Sequence, residues 1–153
     1  MQVVLQRVQH AAVSVDGTVV GAIDRGLVAL VGVGHHSTAE DARWLAAKTQ
    51  GLRVFADAEG RMNRSVGEVG GGVLAISQFT LYGDASKGRR PSFVDAAEPD
   101  QGRMLYEVYC DAFAVPCERG VFGAHMVIEL AAHGPVTMLL RREGGRSLPT
   151  SGA

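Results

Sequence analysis

The chain has 153 residues, enough for one domain that buries about two-thirds of the surface its unfolded form exposes. Hydrophobic residues make up 46% and charged residues 20%, and the net charge is −1; this excludes a disordered acidic chain and a globally basic one, so a nucleic-acid partner needs a local basic patch. Two cysteines, Cys110 and Cys117, make no disulfide framework and read as free thiols, and no stretch has the form of a secretion leader or a membrane span, so a soluble cytoplasmic protein is expected.

In chain order, residues 2–9 (QVVLQRVQ) are rich in β-branched side chains and read as a first strand. A hairpin follows in AAVSVDGTVVGAI, turned at Asp16-Gly17, where glycine tolerates the positive φ of a tight turn. The unbroken apolar run 27–33 (LVALVGV) is that of a strand covered on both faces. Thr38 with Asp41, or Ser37 with Glu40, can cap a helix whose buried side is Ala42, Leu45, Ala46 and Thr49 and which Gly51 can end. A short strand (LRVF, 52–55), a DAEG turn, a glycine-rich loop (67–72) and a strand over 73–79 (VLAISQF) come next. A long polar loop leads to a second helix with Pro99 in its first turn, an apolar face of Leu105, Val108, Tyr109, Ala112 and Phe113, and Pro116 as its stop. Two further strands, HMVIELAA and VTMLLR, are separated by Gly134-Pro135. The reading is a mixed α/β domain over residues 1–141, rich in strands, with two main helices on sheet layers and a flexible tail over 142–153.

No nucleophile elbow, phosphate-cradling glycine loop or H-E-x-x-H zinc motif is present. His35 and His36 are adjacent, so in extended chain they face opposite ways, which is poor geometry for one metal. Cys110 and Cys117 are separated by Pro116, which breaks the helix that could align them; they read as packing or inert thiols. In SQFTLYGD (77–84), Ser77, Gln78 and Thr80 stand where an apolar strand leaves its sheet, a common place for function; the plain alternative is that these groups bond their own loop backbone. Lys87, Arg89 and Arg90 fall within four residues in SKGRRPSF, a cluster that suits phosphate contacts or is simply a solvated surface. Gly134-Pro135 is either a plain turn or a place where bare backbone must be presented to a ligand.

These segments together resemble the bacterial-type D-aminoacyl-tRNA deacylase family. The likeness covers about residues 1–140 and is carried in order by VVLQRVQHAAVSVDG, LRVFADAEGRMNRSV, SQFTLYGD, KGRRPSF, FGAHM and GPVT. It implies hydrolysis of the ester of D-aminoacyl-tRNA, with some action on glycyl-tRNA, and rejection of L-esters. It also implies a homodimer in which the Gly-cisPro of one subunit enters the active site of the other, so that Gly134, Pro135, Val136 and Thr137 form or support a chiral filter. Ser77, Gln78, Phe79 and Thr80 would be the catalytic segment. Thr80 is the candidate nucleophile, but no base stands beside it in sequence, and a route in which the ribose 2′-OH activates the attack is favoured, with backbone N–H groups of Phe79 and Thr80 holding the oxyanion. Lys87, Arg89 and Arg90 would touch tRNA. Ala132 and His133 occupy places where family members often carry an amide or acid. The partners implied are tRNA and a second copy of the chain, with no membrane, DNA, metal or cofactor. The alternative from a different class is a non-catalytic module that binds a tRNA acceptor end.

Overall fold

The computed structural model describes residues 1–147. One seven-stranded sheet organises the chain, in the order β7 (Cys117–Arg119), β6 (Gly72–Ser77), β3 (Gly26–Gly32), β1 (Gln2–Val15), β8 (Val127–Glu143), β9 (Arg146–Ser147), with β2 (Thr18–Ile23) paired to β1. Its first strand, β1 (Gln2–Val15), is one 14-residue strand rather than the separate strand and hairpin arm expected over 2–9 and 11–15. It stays continuous because two register shifts against its neighbour β8 (Val127–Glu143) let it bend without breaking. The hairpin at Asp16-Gly17 leads into β2 (Thr18–Ile23) as expected. Next, β3 (Gly26–Gly32) is buried almost throughout, which explains its unbroken apolar run.

Parallel pairing joins β3 to β6 (Gly72–Ser77) and β6 to β7 (Cys117–Arg119). Parallel neighbours need crossovers, and the two helices supply them. Helix α1 (Ala39–Gly51) is started by the Thr38–Asp41 capping box, while Ser37 instead bonds the Gly34 amide. Helix α2 (Pro99–Asp111) starts on Pro99; Gly102, Leu105, Tyr106, Tyr109 and Cys110 form its buried face, and it ends at Ala112, four residues before Pro116. Thr49 and Tyr109 join the helices through a buried hydroxyl pair 3.1 Å apart.

The period of two along each strand separates two cores. Val3, Leu5, Ala29, Val31, Val73 and Ala75 face the helices. Val8, Val13, Val28, Leu74 and Ile76 face the other way, under the curled outer half of β1 and β2. There β2 crosses so close to β7 that a Cβ at Gly21 would stand 2.7 Å from the Arg119 carbonyl oxygen.

Several local expectations change. The segment 52–55 yields only β4 (Phe55–Ala56), which pairs with an unforeseen β5 (Met62–Arg64); Leu52 caps α1 instead. The strand expected to reach Phe79 stops at Ser77, and Phe79–Tyr82 form a single 3₁₀ turn. Gly134-Pro135 does not separate two strands, because β8 runs through it. The supposed tail does not begin at 142. Arg142 and Glu143 belong to β8, and β9 (Arg146–Ser147) folds back on them; residues 148–153 lie outside the described ones.

That final hairpin is held by one buried carboxylate. Asp41 accepts from the amides of Gly144 and Gly145, each at 3.0 Å, while also completing the capping box with Thr38. Arg142 lies 3.3 Å from the same carboxylate and stacks its guanidinium 4.7 Å from the Trp44 ring centre. Among the described residues no helix is long and apolar enough to cross a membrane.

Candidate active site

At its C-terminal end β6 leaves the sheet. The Gln78 amide still donates to the Val31 carbonyl at 2.7 Å, so the chain is held to β3 until it turns. The turn over Phe79–Tyr82 then closes with Gly83 N–H on the Thr80 carbonyl at 2.9 Å. The first N–H groups of such a turn have no partner within it and remain available to an acceptor. The ends of β3 and β6, the start of α2 and the segment 122–128 enclose a cavity of about 610 Å³ beside this turn. Ser77, Gln78 and Phe79 line it.

One wall is built largely of aromatic side chains. Tyr106 lines it and donates its hydroxyl to the Ala75 carbonyl at 2.8 Å; burial pushes this phenol's pKa up, so it stays neutral. Phe122 lies against Tyr106, with the Arg103 guanidinium 4.7 Å from the Phe122 ring centre. Glu98 and His125 are the other titratable side chains on the wall. Sequence reasoning gave no role to Glu98, Tyr106, Phe122, His125 or Met126, although FGAHM stood out as a segment. Its contribution arises because β7 is the parallel neighbour of β6 and the chain then runs on past the end of β6.

Thr80 is exposed and is not on the cavity wall. Its hydroxyl accepts a hydrogen bond from the Gln78 side-chain amide, and no base contacts it among the described residues. An amide cannot take up a proton from it at neutral pH, so this contact positions the hydroxyl and does not activate it.

Gly134, Pro135, Val136 and Thr137 do not line the cavity of their own chain. Val8 faces Ala132 and Gln6 faces Thr137, so residues 133–136 of β8 stand opposite Arg7 alone. The result is a wide bulge. It contains a cis Gly134-Pro135 peptide, with Gly134 at φ 123°. Arg7 donates Nε–H to the His133 carbonyl at 3.0 Å and Nη1–H to the Val54 carbonyl, tying the bulge to the β4 region.

Lys87, Arg89 and Arg90 lie on an exposed hairpin closed by two 2.8 Å bonds between Asp84 and Ser92. None of the three is paired with a carboxylate among the described residues. Behind the 3₁₀ turn is a second, polar cavity of about 420 Å³ bordered by His35, Tyr82, Arg141 and Glu143. Burial, then the nearby Glu143 charge, pushes the Tyr82 phenol up to about 12.

His35 is engaged by the Val94 carbonyl at 2.6 Å, and among the described residues no group of three or more His, Cys, Asp or Glu is placed to hold a metal. Contrary to the expected separation, the free thiols of Cys110 and Cys117 lie near each other, and the Cys117 thiol donates to the Glu118 carbonyl at 3.8 Å. The neighbouring Cys117 side chain first, and burial second, raise the Cys110 thiol.

The family model described as D-Tyr-tRNA(Tyr) deacylase matches residues 4–141. The chain belongs to this family. A D-aminoacyl-tRNA deacylase of Rhodopirellula baltica is 55% identical over 145 residues, covering 92% of this chain and 99% of the relative. Another from Halalkalibacterium halodurans is 52% identical over 143 residues, 92% and 98% of the two chains. The solved structure of a c-Myc DNA Unwinding Element Binding Protein superposes with a TM-score of 0.85 at 33% identity, over 93% of this chain and 99% of that one. A probable eukaryotic D-amino acid tRNA deacylase shares the fold, with a TM-score of 0.77 at 19% identity, over 90% and 97% of the two chains. The strand-rich α/β domain with two helices is therefore the deacylase fold.

Proposed function

We propose that the chain hydrolyses the ester of D-aminoacyl-tRNA, releasing the free D-amino acid and tRNA, and spares L-aminoacyl-tRNA. The observation that carries this reading is the strand-end turn, which brings Ser77, Gln78 and Phe79 to an open-mouthed, largely apolar cavity without an activated side-chain nucleophile. An aminoacyl ester is already a reactive acyl group. What it needs is orientation and a place for the oxyanion. Ser77 and Gln78 orient the ester, and the Phe79 and Thr80 N–H groups receive the charge that forms on the carbonyl oxygen. The ribose 2′-OH activates the attacking water, the acyl C–O bond breaks, and the ribose O3′ leaves as a hydroxyl. Lys87, Arg89 and Arg90 contact phosphates of the acceptor end.

The cavity is completed by a second copy of the chain, whose Gly134-Pro135 supplies bare backbone opposite Ser77–Thr80. Support comes from the bulge standing away from its own cavity, and from exposed Val127, Leu130 and Met138 along β8. A D-residue directs its side chain away from that backbone, whereas an L-residue drives it in. Glycine has no side chain to exclude, so glycyl-tRNA is also cleaved. The work belongs in the cytoplasm, where aminoacylated tRNA is found.

The test is deacylation of D-tyrosyl-tRNA and L-tyrosyl-tRNA by the wild-type protein, repeated on D-tyrosyl-tRNA ending in 2′-deoxyadenosine. Turnover of the D-ester alone, lost with the deoxy terminus, is expected. A protein that binds tRNA yet protects both esters is a binding module. Full activity on the deoxy terminus would remove the 2′-OH from the mechanism.

A further inference from the structure

The mouth of the cavity carries an exposed aromatic pair that the hydrolysis itself does not use. Phe79 and Phe93 meet edge to face, with ring centres 5.1 Å apart and planes at 70°. Phe79 is 59% and Phe93 37% exposed, and Val94 beside them is 73% exposed. Rings of this size left open to water on a small domain are costly and mark a binding surface. Their origins differ. Phe79 opens the 3₁₀ turn, and Phe93 follows directly on the basic hairpin, seated against Gly83 at the end of that turn. The same short excursion of chain therefore presents an aromatic face and, a few residues earlier, the exposed Lys87, Arg89 and Arg90.

A groove that combines aromatic faces with unpaired cations is the chemistry that holds single-stranded nucleic acid: bases stack on the rings while phosphates meet the cations. Continuity with the cavity narrows the occupant. If the terminal adenosine and its ester enter the cavity, the next nucleotide must stand at the mouth, and its phosphate must leave past the hairpin. We propose that Phe93, supported by Phe79, is the stacking ledge for the penultimate nucleobase of the tRNA 3′ end. This rests on the deacylase reading above and adds a second base to what the protein recognises. Stacking is indifferent to base identity because every base has a π face, so the ledge fits any tRNA and contributes length selectivity instead of sequence selectivity.

The experiment is a coupling cycle on full-length D-tyrosyl-tRNA, either unmodified or with an abasic residue at the penultimate position, using wild type, Phe93→Leu and Phe93→Trp. Leucine keeps apolar packing against Gly83 and removes the π face. With unmodified tRNA we expect Phe93→Leu to raise KM by about 5- to 50-fold with little change in kcat, and Phe93→Trp to stay near wild type. With the abasic tRNA, wild type should show a similar rise and the further effect of Phe93→Leu should shrink to under about twofold. Equal losses from Phe93→Leu on both tRNAs would make Phe93 a wall of the cavity and overturn the ledge; so would the absence of any change on either. Wild type inactive on both tRNAs would instead overturn the deacylase reading and the ledge with it.

Discussion

Arg7 holds the carbonyl of His133, 3.0 Å from its Nε, one residue before the cis Gly134-Pro135 peptide. The same guanidinium reaches the Val54 carbonyl, so one side chain fastens a four-residue bulge of β8 to the body of the domain. If bare backbone in that bulge sorts D- from L-esters, its rigidity sets the selectivity. Arg7→Lys keeps the charge and loses the planar fork. We expect it to fold, and to lower the ratio of D- to L-tyrosyl-tRNA deacylation by about 10-fold or more, as befits a charge-assisted hydrogen bond worth roughly 1.5–3 kcal/mol. An unchanged ratio would remove Arg7 from selectivity.

Gly134 has a φ of 123°, and a Cβ there would stand 2.7 Å from Arg7 Nη2 and 3.0 Å from Val136 Cγ2. Gly134→Ala therefore strains the backbone and displaces the grip of Arg7 together. D-tyrosyl-tRNA deacylation should fall at least about 10-fold. The helical circular dichroism should be retained, since the bulge contains no residue of either helix. A variant as active as wild type would show that the bulge touches no substrate.

Thr80 lies off the cavity wall with its hydroxyl bonded to Gln78. Thr80→Val removes the hydroxyl at similar volume. Because no nucleophile is removed, single-turnover deacylation should stay within about 10-fold of wild type; covalent catalysis by Thr80 would show as a loss of about 10³-fold or more.

Lys87, Arg89 and Arg90 make no ion pair among the described residues, so removing them should act through solution electrostatics alone. Binding of uncharged tRNA should weaken and its dependence on salt should flatten, by a slope of about 0.7–0.9 for each phosphate no longer neutralised. Thermal stability should not change. An identical salt slope in the triple alanine variant would leave these residues as solvated surface.

Burial by itself would raise the Asp41 carboxyl, but the Gly145 amide, the Thr38 hydroxyl and amide and the Gly144 amide outweigh it and hold the group below the usual carboxylate range. A depressed carboxyl stabilises the fold fully above its unfolded pKa, about 3.9, and loses that contribution as pH falls through the lower folded value. Asp41→Asn should cost roughly 2–3 kcal/mol near neutral pH. The wild-type advantage should then narrow below about pH 4 in thermal melts. A gap constant down to about pH 2 would show that charge is not what Asp41 contributes.

The parts legible in the sequence were those whose cause is local. The Thr38–Asp41 box, Pro99 at the start of α2 and the buried run of β3 each depend on residues within a few positions of one another. The 3₁₀ turn after Ser77 was not legible, because Phe79 adds one more apolar side chain to the strand and no glycine or proline stands between Ser77 and Tyr82 to mark its end. Residues 142–147 look like a tail until Asp41, about a hundred positions earlier, supplies the acceptor for Gly144 and Gly145. Gly134-Pro135 reads as a strand break, since nothing in the sequence says that Arg7 will stand opposite it. Within SQFTL, Ser77, Gln78 and Phe79 reach the cavity, while the wall from Phe122 to Met126 arises from strand order alone.

The pairing of Gln2 with Arg141 has a consequence for synthesis. Strand β1 lies between β3 and β8, so the first strand to leave the ribosome must wait for the last long one before its second edge is filled. Until then, the nascent chain presents an open edge lined with valine and leucine, with nothing to pair it. A message cut short before residue 127 encodes Ser77–Thr80 intact, yet its product lacks both the strand that covers that edge and the bulge on it. Such a fragment belongs to the chaperones and proteases of the cell, and the whole polypeptide must be made before any of it is useful.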